Sequence, residues 1–149
     1  MALEPEIRRF LPTDRTEVEA IDAEARSSLE EQRGGEAWLA EHTPLVALTD
    51  WPRTWVGTVD DVVVGFLCGN IDDVSGRGRV FTVERVYVRA QARELGFGDA
   101  LVAAAMREAE AESCQYFEAV ALPGDRETKN LYERAGITAR SIVVSRRLD

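Results

Sequence analysis

At 149 residues, 45% hydrophobic and 30% charged, the chain has the make-up of one globular domain, residues 1–149, able to bury a core without disulfide staples. A net charge of −9 argues against nucleic acid as the main partner, because phosphate backbones select basic faces. No stretch is long and apolar enough for a membrane span, the N-terminus lacks a signal-peptide core, and Cys68 and Cys114 lie in apolar runs without metal-ligand spacing, so a reducing, cytoplasmic setting with no metal is expected.

Residues 7–11 read as a short first strand, followed by a turn at Pro12-Thr13-Asp14 in which Thr13 or Asp14 can cap the next element. Val18, Ile21, Ala25 and Leu29 then recur at helical spacing, predicting a long amphipathic helix that ends near Gly34-Gly35. A shorter helix through Trp38 stops before Pro44, with His42 at its end. Residues 45–53 fit either a strand remnant or an exposed substrate loop. Two β-rich runs flank Asp60-Asp61 in the pattern of a tight hairpin, and a third strand begins near Arg79 and runs to Val88, completing an antiparallel meander.

From that strand the chain passes through a turn with two glycines, Gly96 and Gly98, into a helix striped by Leu101, Ala105 and Ala109, with Val102 and Met106 beside them. Residues 114–121 then read as a strand parallel to the one before the helix. Such a unit puts the turn at the carboxyl ends of the strands, where open α/β sheets bind ligands. Asp125 caps a last helix through Ala135, Gly136 closes it, and residues 141–148 are predicted as a final strand.

A glycine turn feeding a helix leaves several N–H groups unpaired at the positive end of the helix dipole, which suits phosphate. A Walker loop is excluded because Gly98 is followed by Asp99-Ala100 and not by Lys and a hydroxyl residue. A dinucleotide fingerprint fails at Leu101, where a small residue is needed, and in lacking an acid after a second strand about 20 residues on.

The hexapeptide Arg93-Glu94-Leu95-Gly96-Phe97-Gly98, preceded by Val86-Tyr87-Val88, resembles the acetyl-coenzyme A loop of the GCN5-related N-acetyltransferase (GNAT) superfamily. Residues 128–137, with Leu131-Tyr132-Glu133 and Gly136-Ile137, are similar to that family's terminal helix signature, and the element order matches over nearly the whole length. The resemblance implies an α/β (α+β) GNAT fold: a mixed central sheet with antiparallel N-terminal strands and a parallel pair around the cofactor loop, flanked by helices. It implies acetyl-CoA as cosubstrate and a primary amine of a small molecule or peptide as acceptor, attacking the thioester directly in a ternary complex. The alternative is a non-catalytic acetyl-CoA-binding module of the same fold; a toxin-like acetylation of aminoacyl-tRNA is disfavoured by the acidic charge.

By that resemblance the site residues are Glu84 as base, direct or through water, and Tyr132 as acid toward the departing sulfur. Backbone N–H near Val86 would face the developing oxyanion, on the strand Val86, Tyr87 and Val88 beside which the pantetheine arm runs. Arg93, Glu94, Leu95, Gly96, Phe97 and Gly98 would hold the pyrophosphate through their backbones, Arg93 adding side-chain charge, while Asn130 and Arg134 would reach the pantetheine or adenosine end. Strand alternation puts Glu84 on the face of Val86 and Val88; its alternative roles are ordering water or pairing an arginine. The sequence departs from the family at Arg89, Glu94, Asp125 and Ile137, and Glu94 and Asp99 bring negative charge toward the pyrophosphate, offset by Arg89 and Arg93. The acceptor pocket is expected from the first two helices and the Trp51-Pro52-Arg53 loop, with Trp38, Trp51 and Trp55 read as packing residues and, as the alternative, as part of its lining. Homodimers are common in the family, so a homodimer is carried as an expectation.

Overall fold

A computed structural model describes residues 5–149. The elements are β1 (Glu6–Arg9), α1 (Arg15–Ser28), α2 (Gly35–Glu41), β2 (Arg53–Val59), β3 (Val62–Val74), β4 (Gly78–Val88), α3 (Phe97–Ala111), β5 (Tyr116–Ala119) and α4 (Arg126–Arg134). The strands form one mixed sheet in the order β1-β2-β3-β4-β5, antiparallel up to β4 and parallel between β4 and β5.

The hairpin between β2 and β3 turns on Asp60 and Asp61, both at positive φ (49° and 65°), the geometry of a two-residue turn whose twist suits the flanking strands. Each sheet face buries its own cluster. On one side Trp55, Leu67, Phe81 and Val83 pack against Leu101, Val102, Ala105 and Ala109 of α3 and Leu131 and Tyr132 of α4. On the other, Val56, Val63, Phe66 and Cys68 pack against Val18 and Ile21 of α1 and Leu45. The helical spacing of these residues explains why α1 and α3 each turn one stripe inward.

Four expectations change. Helix α1 stops at Ser28, well before Gly34-Gly35, because the chain closes turns over residues 29–35, with Gln32 N–H on the Leu29 carbonyl and Gly35 N–H on the Gln32 carbonyl. Neither Thr13 nor Asp14 caps α1 through its side chain; the Asp14 carboxylate instead accepts from Leu11 N–H (2.8 Å) and from Arg8 (2.7 and 3.0 Å). Residues 45–53 hold a single 3-10 turn and a loop folded onto the core: Trp51 donates to the Leu45 carbonyl and packs on Phe10. Finally, residues 141–148 form no strand in this chain, since an extended segment without a paired neighbour has no ladder to join.

Strand β4 carries the irregularity that shapes the site. Val83 pairs with Gly69 and Arg85 with Cys68, so Glu84 is an extra residue opposite no partner, a β-bulge. Pairing with β5 ends at the same point, Val83 opposite Ala119. Beyond it β4 continues along β3 while the chain after β5 turns away, and the sheet splits.

Candidate active site

The split opens a cleft of about 460 Å³. Its walls are α1 from Asp22 to Ser28, Leu29 just after it, Trp38, residues 84–87 of β4, Arg93, the segment after β5 and the first turn of α4, with Tyr132 behind it. Glu84, Val86, Tyr87, Arg93 and Tyr132 thus meet at one opening, whereas Val88, residues 94–98, Asn130 and Arg134 lie outside its lining. Of the three tryptophans only Trp38 reaches the cleft; Trp55 is buried in the core and the Trp51-Pro52-Arg53 loop does not line the opening, so that part of the expected pocket is corrected.

The bulge reverses one further expectation. Phe81 and Val83 before it and Val86 and Val88 after it pack on the α3 face, so the inserted Glu84 does not share the face of Val86 and Val88. Its carboxylate accepts from Asn70 Nδ2 at 3.3 Å and, among the described residues, pairs with no arginine. The cleft's other carboxylates are engaged. Asp22, almost fully buried, accepts from Arg85 (2.9 Å) and Leu45 N–H (2.9 Å); Asp125 accepts from Thr128 N–H (3.1 Å) and its hydroxyl (2.6 Å); Glu127 stands 3.5 Å from Arg93. Glu84 is therefore the lining carboxylate held by a single amide contact alone, and like Asp125 it has no cation partner among the described residues.

Main-chain direction on β4 follows from one bond. Arg89 N–H donates to Val64 of β3 (2.8 Å), so by alternation Tyr87 and Arg85 also face β3, while Val86 and Val88 present N–H and C=O to the side β5 has vacated. Arg93 Nε, which reaches Val88 O at 3.0 Å, agrees with that direction. The Arg93 guanidinium also lies over the Tyr87 ring, 5.2 Å from its centre, and so folds back along β4.

The hexapeptide is held by packing and by two left-handed backbone positions. Phe97 is buried at the start of α3 and packs against Gly57, where a Cβ would stand 2.8 Å from the ring. Gly96, at φ 86°, adopts the left-handed backbone that leads into α3. Glu94 shares that conformation (φ 66°). Among the described residues nothing accepts from the N–H groups of residues 94–99, a run of free donors at a helix N-terminus. Gly98 lies against Leu131, at 3.3 Å from where its Cβ would be, so α3 and α4 are in close contact there. Asp99 is paired with Arg134 (2.9 Å); Glu94 has no such partner among the described residues. Arg134 is thus committed to Asp99, and Asn130 stands exposed on α4.

Tyr132 is 7% exposed, and burial, with the charge of Asp125 adding to it, pushes its phenol well above the ordinary value, so it stays protonated through the neutral range. Its hydroxyl has no protein partner among the described residues and is not sealed off, since Arg77 Nε is the one enclosed side-chain polar atom lacking a bond. A protonated donor thus opens toward the cleft. What the sequence reading missed is the Asp22–Arg85 pair and the Asn70 contact. Asp22 falls next to Ile21 on the buried stripe, a polar residue at a core position, and that signal was available.

The profile of the acetyltransferase (GNAT) family matches residues 16–137. Among solved structures, the chain is similar to aminoglycoside N-acetyltransferase AAC(6')-Iy in complex with a CoA bisubstrate analogue (20% identity, TM-score 0.71, 99% of each chain covered). It is also similar to a ribosomal-protein-alanine N-acetyltransferase from Brucella melitensis biovar Abortus 2308 (20% identity, TM-score 0.75, 98% of this chain and 100% of that one). A transcriptional regulator from Bacillus halodurans C-125 shares the fold at 17% identity, TM-score 0.72, over 97% and 100% of the two chains. A search of curated proteins finds no match. With the family profile spanning most of the chain, the protein belongs to the acetyltransferase (GNAT) family.

Proposed function

We propose that the protein transfers an acetyl group from acetyl-CoA to a primary amine of a small molecule or peptide. The observation that carries this reading is the meeting, at one cleft, of a carboxylate held by one amide contact, a protonated phenol and the vacated main-chain edge of β4, next to the run of free N–H donors at residues 94–99. When bound, acetyl-CoA supplies an acetyl thioester for direct attack in a ternary complex.

The chain's own groups divide the work. The free N–H groups of residues 94–99 and the start of α3 hold the diphosphate, and the exposed edge of Val86 and Val88 accepts and donates the main-chain bonds of the pantetheine arm. Val86 N–H would stabilise the thioester carbonyl oxygen as charge develops there. An amine with a pKa near 10 must lose a proton before it is nucleophilic, and Glu84, held by Asn70, takes that proton directly or through water. Tyr132 delivers a proton toward the departing sulfur, and its raised pKa keeps that proton available at neutral pH.

The test is thiol release from acetyl-CoA with a panel of amines, alongside cofactor-induced thermal stabilisation, for the wild type, Tyr132→Phe and Glu84→Gln. The expected outcome is release with at least one amine and a rate loss of about 10²–10⁴-fold for each variant, the usual scale for a lost acid or base. Stabilisation by the cofactor with no release for any amine would instead support a binding module.

A further inference from the structure

The chain as a whole carries a net charge of −9, which draws cations from a distance, yet four arginines, Arg26, Arg85, Arg93 and Arg126, line the cleft. They are not equivalent. Arg85 is cancelled by the buried Asp22 and also donates to the Thr43 carbonyl. Arg93 stands 3.5 Å from Glu127, and Arg126 is the neighbour of Glu127 in α4, so both arginines belong to the hexapeptide side of the cleft. Arg26 differs, because it projects from α1, which packs on the sheet face opposite α3 and α4. Its guanidinium donates to the carbonyls of His42 (2.6 Å) and Leu39 (3.4 Å) and lies against the Trp38 ring, 5.9 Å from its centre. Those carbonyls are neutral and no carboxylate pairs with Arg26 among the described residues, so it brings an uncompensated positive charge to the cleft wall.

Main-chain carbonyls fix this guanidinium without neutralising it, and its Nε–H makes no bond among the described residues. A held fork with a spare edge suits a carboxylate, whose two oxygens match the planar N–H pair. Arg85, against the same Trp38 ring at 5.6 Å, joins this wall to β4, where it directly follows Glu84. One cleft therefore holds Glu84, a group for the amine, and Arg26, a group for an anion. Resting on the acetyl-transfer reading above, we infer that the acceptor is an amine that also bears a carboxylate, an amino acid in the broad sense, and that Arg26 selects it by binding that carboxylate. Leu29, Trp38 and Leu122 give the remainder of the molecule an apolar wall. Amines with a second ammonium group are selected against, because that cation meets Arg26 with no carboxylate to offset it.

The experiment compares acceptors matched except for the carboxylate: α-amino acids against their carboxamides, and straight-chain amino acids from β-alanine to aminocaproate against alkylamines of the same length, with cadaverine as a dication. The carboxamides are the stringent partners, since a nearby carboxylate raises the pKa of an ammonium and makes its deprotonation harder. For the wild type, kcat/KM for at least one acid is expected to exceed that of its neutral partner by about 10–100-fold, the scale of a hydrogen bond to a charged group, with cadaverine poorer than the neutral amines. In Arg26→Gln the ratio is expected to fall to near one, mainly through the KM of the acid, and Arg26→Lys to keep part of it; a purely structural loss would lower both members of a pair alike. Calorimetric titration of the acid into protein saturated with coenzyme A reads the same contact without turnover, as a matching rise in Kd. Should Arg26→Gln fail to fold, the wild-type ratio and its partial loss in Arg26→Lys carry the test. Neutral amines used as well as the acids by the wild type, or a preference that survives Arg26→Gln or is lost in Arg126→Gln instead, overturns the inference and leaves acetyl transfer standing. Thiol release with no amine at all removes the acetyl-transfer reading and this inference with it.

Discussion

Glu94 joins two separable faults in the loop, and two substitutions take them apart. Its backbone is left-handed at φ 66°, a conformation that costs an L-residue about 1–2 kcal/mol, while glycine there gives back about 0.5–1 kcal/mol through its looser unfolded chain. Glu94→Gly should therefore stabilise the protein by about 0.5–1 kcal/mol, a rise of about 1–4 °C in Tm for a chain of this size. Glu94→Gln keeps the strain and should leave Tm unchanged. Both remove an exposed carboxylate beside the free N–H groups. With about 8 Å to an anion held there, each charge pair is worth about 0.5 kcal/mol in water, hence about 1 kcal/mol for a diphosphate with two charges. That is about fivefold in the Kd of coenzyme A at low salt, shrinking to about twofold where the Debye length is itself about 8 Å. Thermal unfolding and calorimetric titration with coenzyme A at two ionic strengths read both effects. Equal Tm for Gly and Gln refutes the backbone argument, and an affinity gain that ignores salt refutes the electrostatic one.

Tyr132→Phe should leave stability at pH 7 nearly unchanged, because the hydroxyl has no protein partner to lose. Since the folded phenol binds its proton more tightly than the unfolded one, wild-type stability is complete below the unfolded pKa of about 10 and falls as pH rises beyond it, by up to about 1.4 kcal/mol per pH unit; the variant should lack that decline in denaturant melts between pH 9 and 11.5. Gly57→Ala drives a methyl to within 2.8 Å of the Phe97 ring and should cost about 1–3 kcal/mol by overpacking, while weakening coenzyme A binding because the loop loses its footing; normal affinity in a destabilised variant would separate the two. Asp22→Ala strands the Arg85 guanidinium and the Leu45 N–H in a buried setting, and urea denaturation should show a loss of about 3–5 kcal/mol. A loss below 1 kcal/mol would mean the pair is hydrated.

Much of the architecture was legible because it rests on local periodicity. The Asp60-Asp61 hairpin, the α3 stripe, the Asp125 cap and the parallel return to β5 follow from turn chemistry and repeat spacing, and each stands in the structure. The site was legible only as motif positions along the chain. Which face Glu84 occupies was not, because a single inserted residue flips a period-two pattern and leaves no compositional mark. The tail was read as a strand for the right local reason, its β-branched run, but pairing needs a neighbour and local propensity does not supply one. Trp38 looked like packing for the same cause: its place beside the cleft depends on how α2 is set against α1, which no sequence spacing records.

The extra residue in β4 ties form to reactivity at a single codon. Exchanging Glu84 for another side chain would change the proposed proton acceptor and leave the opening intact. Deleting it would let Val83, Arg85 and Val86 alternate as in an unbroken strand, free to zip onward with β5 and erase the opening altogether. The position thus accommodates a change of side chain far more readily than a change in chain length.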